Sequence, residues 1–267
     1  MPVRNGYTDT DHGQIHYRHT AIPHSQRLPV VFLHKSASSS RMFEALMRGL
    51  APEHATFALD TPGFGNSFDP PEVTNLGYYV AVFLQALDSL GIQRFHLVGH
   101  HTGACVGVQM AAQQPRRVAS LTLMGPAILT AEEREIFRQH YSTPFNAPRA
   151  DGSHLQLTWD YLARMGVGNS LELHQREVLD HLRAWQGRTQ AYNAVWDQDL
   201  CEMFMSIACP MLATCAPDDV LWPYFRRTAD WRPDIECAVT LGANFEPDID
   251  PDGTLAALQS FLKRVDP

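Results

Sequence analysis

One imidazole in this chain stands where the local sequence would lift it clear of the backbone. Residues 94–109 read RFHLVGHHTGACVGVQ. Phe95-His96-Leu97-Val98 is a short apolar run bounded by glycine, too brief for a helix, and predicts a buried strand. Gly99-His100-His101-Thr102-Gly103 then forms a turn with glycine on both sides of His101, and Ala104 to Gln113 is apolar at helical spacing. A strand, a glycine-flanked turn and a helix leave room for a sharp bend because no Cβ collides with either neighbour. Imidazole exchanges a proton near neutral pH, so the chemistry expected of His101 is that of a general acid or base. The apex offers neither hydroxyl nor thiol, and a serine-type acyl-enzyme is therefore not available from that position.

The other residues able to do chemistry are scattered. Thirteen histidines include no H-E-x-x-H pair that would gather a metal on a helix. Five cysteines at 105, 201, 209, 215 and 237 contain no C-x-x-C and read as reduced thiols of a cytoplasmic protein. No metal and no cofactor is expected. A formal charge of −8 argues against nucleic acid or an anionic membrane surface as partner, leaving a small-molecule substrate; a homodimer is compatible with the composition. MPVRNGYTDT has no apolar signal core, and no segment approaches the length of a membrane span.

The elements that must position His101 alternate along the chain of 267 residues, a length that suits one α/β domain with an insertion. Gly6 to His19 alternates about Asp11-His12-Gly13 as a hairpin. Strands are expected at Leu28–Leu33, Thr56–Asp60, Val118–Met124, Pro210–Cys215 and Glu236–Leu241, and helices at Arg41–Leu50, Tyr78–Leu90 and Leu255–Leu262. From 130 to 205 the strand rhythm stops. Thr130-Ala131-Glu132-Glu133 is a capping box, and the stretch that follows reads as helical and rich in Trp, Tyr and Phe.

These features together resemble the α/β-hydrolase superfamily over nearly the whole chain. The turn at 99–103 matches the nucleophile elbow, G-x-nucleophile-x-G. Asp60-Thr61-Pro62-Gly63-Phe64-Gly65-Asn66-Ser67 matches the D-x-x-G-x-G-x-S loop, and Phe43 stands nine residues after His34, as an aromatic usually does there. The resemblance implies an α/β fold with a mostly parallel twisted sheet flanked by helices. The core would be 1–129 and 206–267, with a helical cap at 130–205 whose aromatics form mainly its own core, two or three roofing the pocket. It also implies an oxyanion hole from the backbone N–H groups of Ser36 and Thr102. The acid turn falls at Asp219, with Asp218 the near miss. His34, Lys35 and His100 would stand around the pocket, His34 bracing the oxyanion loop and His100 packing beneath the elbow.

Three positions depart from the family pattern: Lys35 replaces glycine, His101 replaces the nucleophile, and Asn244 replaces the triad histidine. Lys35 could point its ammonium into or alongside the pocket, or lie along the surface with its stem packed. The resulting expectation is an enzyme acting on a small, largely apolar carbonyl compound (ester, lactone or keto compound). His101 would be its general acid or base, with Asp219 or Asn244 fixing the ring tautomer. A lyase or decarboxylase at the same site, and a retired enzyme that only binds a ligand, are the alternatives. They separate on whether His101 reaches Asp219 or Asn244 across an open pocket.

Overall fold

The computed structural model describes residues 1–20 and 26–266; His24, one of the histidines without a pattern, lies outside them. The hairpin is present as β1 (Arg4–Thr10) and β2 (Gly13–Thr20). The remaining strands are β3 (Val30–Leu33), β4 (Thr56–Leu59), β5 (Phe95–His100), β6 (Val118–Met124), β7 (Met211–Cys215) and β8 (Glu236–Val239). They form one sheet in the order β1-β2-β4-β3-β5-β6-β7-β8. β1, β2 and β4 pair antiparallel, and every pair from β4 to β8 is parallel.

The apolar runs have no alternation because both faces of the parallel strands are covered. In β3, Val31 and Leu33 join the cluster under α2 (Leu76–Ser89) and α3 (Thr102–Gln113). Val30 and Phe32 point the other way, against Met42, Phe43 and Leu46 at α1 (Glu44–Leu50) and Leu258 and Leu262 of α11 (Pro251–Val265). The expected helix at 41–50 begins as a 3-10 turn over Ser40–Phe43.

Five helices stand between β6 and β7: α4 (Ala131–Tyr141), α5 (Ser153–Arg164), α6 (Leu171–Arg183), α7 (Gly187–Trp196) and α8 (Leu200–Ser206). The Thr130–Glu133 capping box opens α4, each side chain taking the other residue's backbone N–H. After β7 come α9 (Trp222–Trp231), which the sequence reading did not anticipate, and a short α10 (Glu246–Ile249). Among the described residues no helix is long and apolar enough to cross a membrane.

Register brings the chemistry together. Leu33 pairs with Gly99, His100 with Met124, and Met124 with Thr214, so the loops leaving β3, β5, β6 and β7 open at one edge of the sheet. That carboxyl edge is where open α/β sheets hold their ligands.

Candidate active site

His101 sits at the bend between β5 and α3 with φ 47° and ψ −107°, a conformation that side-chain-bearing residues rarely adopt. Such a residue costs on the order of 1–3 kcal/mol and persists only where its surroundings hold it. Its N–H donates to Met124 O at 2.9 Å and its carbonyl accepts from Cys105 N at 3.0 Å. The flanking glycines are obligatory. A Cβ on Gly99 would lie 2.4 Å from Gly103 O, and one on Gly103 would lie 2.1 Å from Leu33 O.

The ring reaches across the sheet edge to the loop after β7. His101 Nε2 lies 2.7 Å from Asp219 Oδ2, and Asp219 Oδ1 accepts the Leu221 N–H at 2.6 Å. An ionised carboxylate only accepts, so the proton of the first bond belongs to Nε2 and Nδ1 keeps its lone pair. A Cβ on Gly125 would meet the Cδ2–Nε2 edge of the ring at about 2.4–2.5 Å, so this glycine lets the imidazole lie flat over β6. Nδ1 has no partner among the described residues.

Asn244 corrects the sequence reading. It borders the same cavity but does not touch His101: its amide donates to Met165 O at 2.8 Å, and its carbonyl accepts from Val220 N at 3.4 Å. The tautomer is set by Asp219 alone of the two. The vacated position instead ties the loop after β8 to the end of α5.

The expected oxyanion amides are close together but not both free. Ser36 N–H donates to Thr102 Oγ1 at 3.1 Å. Thr102 N–H, in the first turn of α3, has no intrahelical acceptor. A hydroxyl that accepts one bond still has its own hydrogen to give, so Thr102 offers two donors at the elbow.

His34 and His100 correct the reading in another way, since neither borders the main cavity. His34 is a brace: Nδ1 donates to Lys35 O at 2.7 Å and Nε2 accepts from Thr61 N at 2.9 Å, while burial lowers its pKa. His100 is fully buried under the bend, its ring 4.3 Å from that of His101, and neither ring nitrogen has a partner. Burial first, then the His101 and Lys35 charges, push it far toward the neutral form.

Lys35 lines the cavity, the first of its two anticipated positions, and does not lie along the surface. It is buried, 4.0 Å above the Phe245 ring, with Nζ 2.8 Å from Glu177 Oε2 on α6. Ser38 Oγ and Arg176 Nη2 also donate to Glu177, at 3.1 and 2.8 Å. Burial would raise the Glu177 carboxyl, but the Lys35 and Arg176 charges outweigh it and hold it at about 2. Neighbouring Asp180, buried beside Glu177 and taking a bond from Ser39 Oγ, is pushed up to about 7. Burial and Lys35 lower His181 to about 3. The sequence held no signal for this cluster, because it joins residues some 140 apart in the chain.

A second buried acid was also missed. The Glu246 carboxyl accepts from Thr240 Oγ1 at 2.9 Å; burial and the Asp219 charge push it to about 8. Asp60, expected to tie its turn, accepts from His16 Nδ1, Ser40 N and Asn66 N; burial works upward, yet these bonds take it to about 2. Cys105 borders the cavity, but burial raises its thiol to about 12, which leaves it inert.

His100, His101 and Asp219 each present a possible metal-ligand atom within 4.8 Å of the others. A metal there would have to break the 2.7 Å bond between His101 and Asp219. Cys215, Asp219 and Glu246, and His54, His96 and Asp266, make comparable groups among the described residues. His12 and His16 stand four apart in sequence, in the β1–β2 turn and on β2, and His96 and His100 four apart on β5, so neither pair lies along one helix face.

The cavity takes in about 660 Å³ of empty space when the solvent at its mouth is included, of which about 60 Å³ is open to the centre of a water-sized sphere. His101, Thr102, Ser36 and Lys35 border one side; Phe137, Tyr141, Tyr161, Tyr192 and Trp196 of the five-helix insertion border the other. More insertion aromatics face it than the two or three expected. Tyr192 reaches the oxyanion loop itself, its hydroxyl donating to Ser36 O at 2.9 Å.

A parallel sheet, a strained elbow over its edge and an acid after β7 define a fold and site of the hydrolase type. The profile of the alpha/beta hydrolase fold family matches residues 29–191, and the chain belongs to that family. It is an enzyme of the hydrolase class. A relative from Yersinia enterocolitica, named "Putative carbamate hydrolase RutD", is 29% identical over 209 residues, covering 75% of this chain and 74% of its own. Two solved structures share the fold at low identity. An enol-lactonase from Burkholderia xenovorans LB400 has TM-score 0.78 at 20% identity, covering 97% of this chain and 100% of that one. E-2-(acetamidomethylene)succinate hydrolase has TM-score 0.77 at 22% identity, covering 98% and 100%.

Proposed function

We propose that the protein hydrolyses a small, largely apolar carbonyl compound, an ester or lactone, by water that His101 deprotonates. The observation that carries this reading is the 2.7 Å bond from His101 Nε2 to Asp219, which leaves Nδ1 as the lone-pair nitrogen of a ring bordering the cavity. Nδ1 takes a proton as the water oxygen bonds to the carbonyl carbon, and the C=O π pair moves onto oxygen. Thr102 N–H and Oγ–H, the latter polarised by Ser36 N–H, stabilise that oxyanion. Its collapse expels the alkoxide, which recovers the proton from Nδ1. No protein side chain is acylated. The helices between 130 and 205 act as a cap whose aromatics keep the site apolar. An open cavity with His101 bonded to a carboxylate supports an enzyme over a ligand receptor, and the names of the relatives support hydrolysis over a lyase step.

His101→Ala and His101→Gln test the proposal against a panel of p-nitrophenyl esters and lactones. Loss of a positioned general base lowers kcat by roughly 10²–10⁴-fold. Turnover at the wild-type rate in both variants removes His101 from the chemistry.

A further inference from the structure

Arg188, second residue of α7, is 3% exposed and has no carboxylate partner among the described residues. A guanidinium carries five N–H donors and a charge that no accessible pH removes. Here Nη2 has one long bond, 3.4 Å to Tyr161 Oη, and Nε is buried with no acceptor. Around it lie the rings of Tyr141, Phe145, Tyr161 and Tyr192, with their centroids 4.8–6.0 Å from Cζ. Three of those rings border the cavity. They are not counter-ions: burial pushes the Tyr141 and Tyr192 hydroxyls up, so both stay neutral. Aromatic faces attract the cation but leave its in-plane N–H groups unsatisfied. Arg188 does not itself border the cavity but stands directly behind those rings, whereas Lys35, the cation that does border it, has Glu177 at 2.8 Å. Buried charges are ordinarily paired, and this one lacks its anion.

We propose that the substrate carries a carboxylate, which enters between Tyr141, Tyr161 and Tyr192 where they border the cavity and pairs with Arg188 directly behind them. The guanidinium fork matches a carboxylate in two parallel bonds, and the Tyr161 hydroxyl, which accepts from Arg188, keeps its own hydrogen as a further donor. Tyr192 also donates to Ser36 O, so the same ring links the anion site to the oxyanion loop. The substrate class is thus an apolar ester or lactone bearing one carboxylate remote from the scissile carbonyl. The single charge neutralises Arg188. This inference rests on reading the cavity as the substrate site, but it does not require His101 to be the base.

The test is equilibrium binding of phenylacetate and of its neutral counterpart phenylacetamide, followed by calorimetry and by tryptophan fluorescence. Trp196 reports the site because it stacks on Tyr192 at 5.6 Å. Wild-type protein is expected to bind the carboxylate at least 30-fold more tightly than the amide. The preference falls to within threefold in Arg188→Met, is partly kept in Arg188→Lys, and survives in His101→Gln even where turnover is lost. Equal affinity for the two compounds in the wild type overturns the proposal without any variant, so a misfolded Arg188→Met leaves it decidable. A preference that persists in folded Arg188→Met, or disappears only in Lys35→Met, overturns it as well. Loss of turnover in His101→Gln with no carboxylate preference in the wild type sinks this inference and leaves the hydrolytic one standing.

Discussion

Asp219→Asn replaces one carboxylate oxygen by an NH2 group and reverses the direction of one hydrogen bond. Oδ1 accepts from Leu221 N at 2.6 Å, and only the carbonyl oxygen of the new amide can keep that bond. The amide nitrogen must then occupy the place of Oδ2, 2.7 Å from His101 Nε2. A donor facing Nε2 requires the lone pair there, which moves the ring proton to Nδ1. The geometry survives, and the nitrogen proposed to act on water is blocked. The expected loss in kcat is that of a positioned base, roughly 10²–10⁴-fold, or about 3–5.5 kcal/mol in the barrier. Folding should change little, since both bonds persist. Two measurements check this: steady-state kinetics on p-nitrophenyl acetate, and nitrogen-15 NMR of the imidazoles. The NMR should show the His101 proton on Nε2 in the wild type and on Nδ1 in the variant. Turnover within threefold of wild type, or an unchanged tautomer, would refute the reasoning.

Two further predictions concern buried acids outside the dyad. Glu177→Gln leaves the Lys35 ammonium buried without its anion, and denaturant unfolding should report a loss of about 3–5 kcal/mol. Adding Lys35→Met should recover much of it, and a double variant as unstable as the single one contradicts the pairing. Glu246 has its carboxyl raised from 4.5 to about 8 in the folded protein. Between those values the native state holds a proton that the unfolded chain has released, so this group's contribution to stability falls as pH rises. Glu246→Gln has no such proton to lose. Its stability relative to wild type should therefore grow from pH 5 to pH 8 and then level off, and parallel pH profiles contradict the assignment.

Most of the frame was legible because it is local. A four-residue apolar run before a glycine-flanked turn, Asp60 before Pro62 and Gly63, and the Thr130–Glu133 box each encode their structure within a few positions. The acid at Asp219 was found through the family pattern, and its contact with His101 was one of two anticipated. Which of the two could not be read, since Asn244 is diverted by Met165 O and Val220 N, partners fixed only by tertiary packing. Lys35 was ambiguous for the same reason: a long side chain follows its counter-ion, and Glu177 stands on a helix far along the chain. Arg188 was not singled out in the sequence, where nothing distinguishes it from any other arginine of a helical stretch. Only the closing of four aromatic rings about it shows that it is buried without an anion. The helix α9 was missed where its pattern is short and begins with Trp222-Pro223, residues that punctuate as often as they start a helix.

The central claim is that water attacks the carbonyl and that no side chain of the protein ever carries the acyl group. Rapid-quench intact-mass spectrometry with p-nitrophenyl acetate, paired with stopped-flow release of p-nitrophenol, measures this directly. The account predicts release without a burst and a protein mass unchanged at every time point. A stoichiometric burst accompanied by an acetylated protein, on His101 or on any other residue, would contradict it.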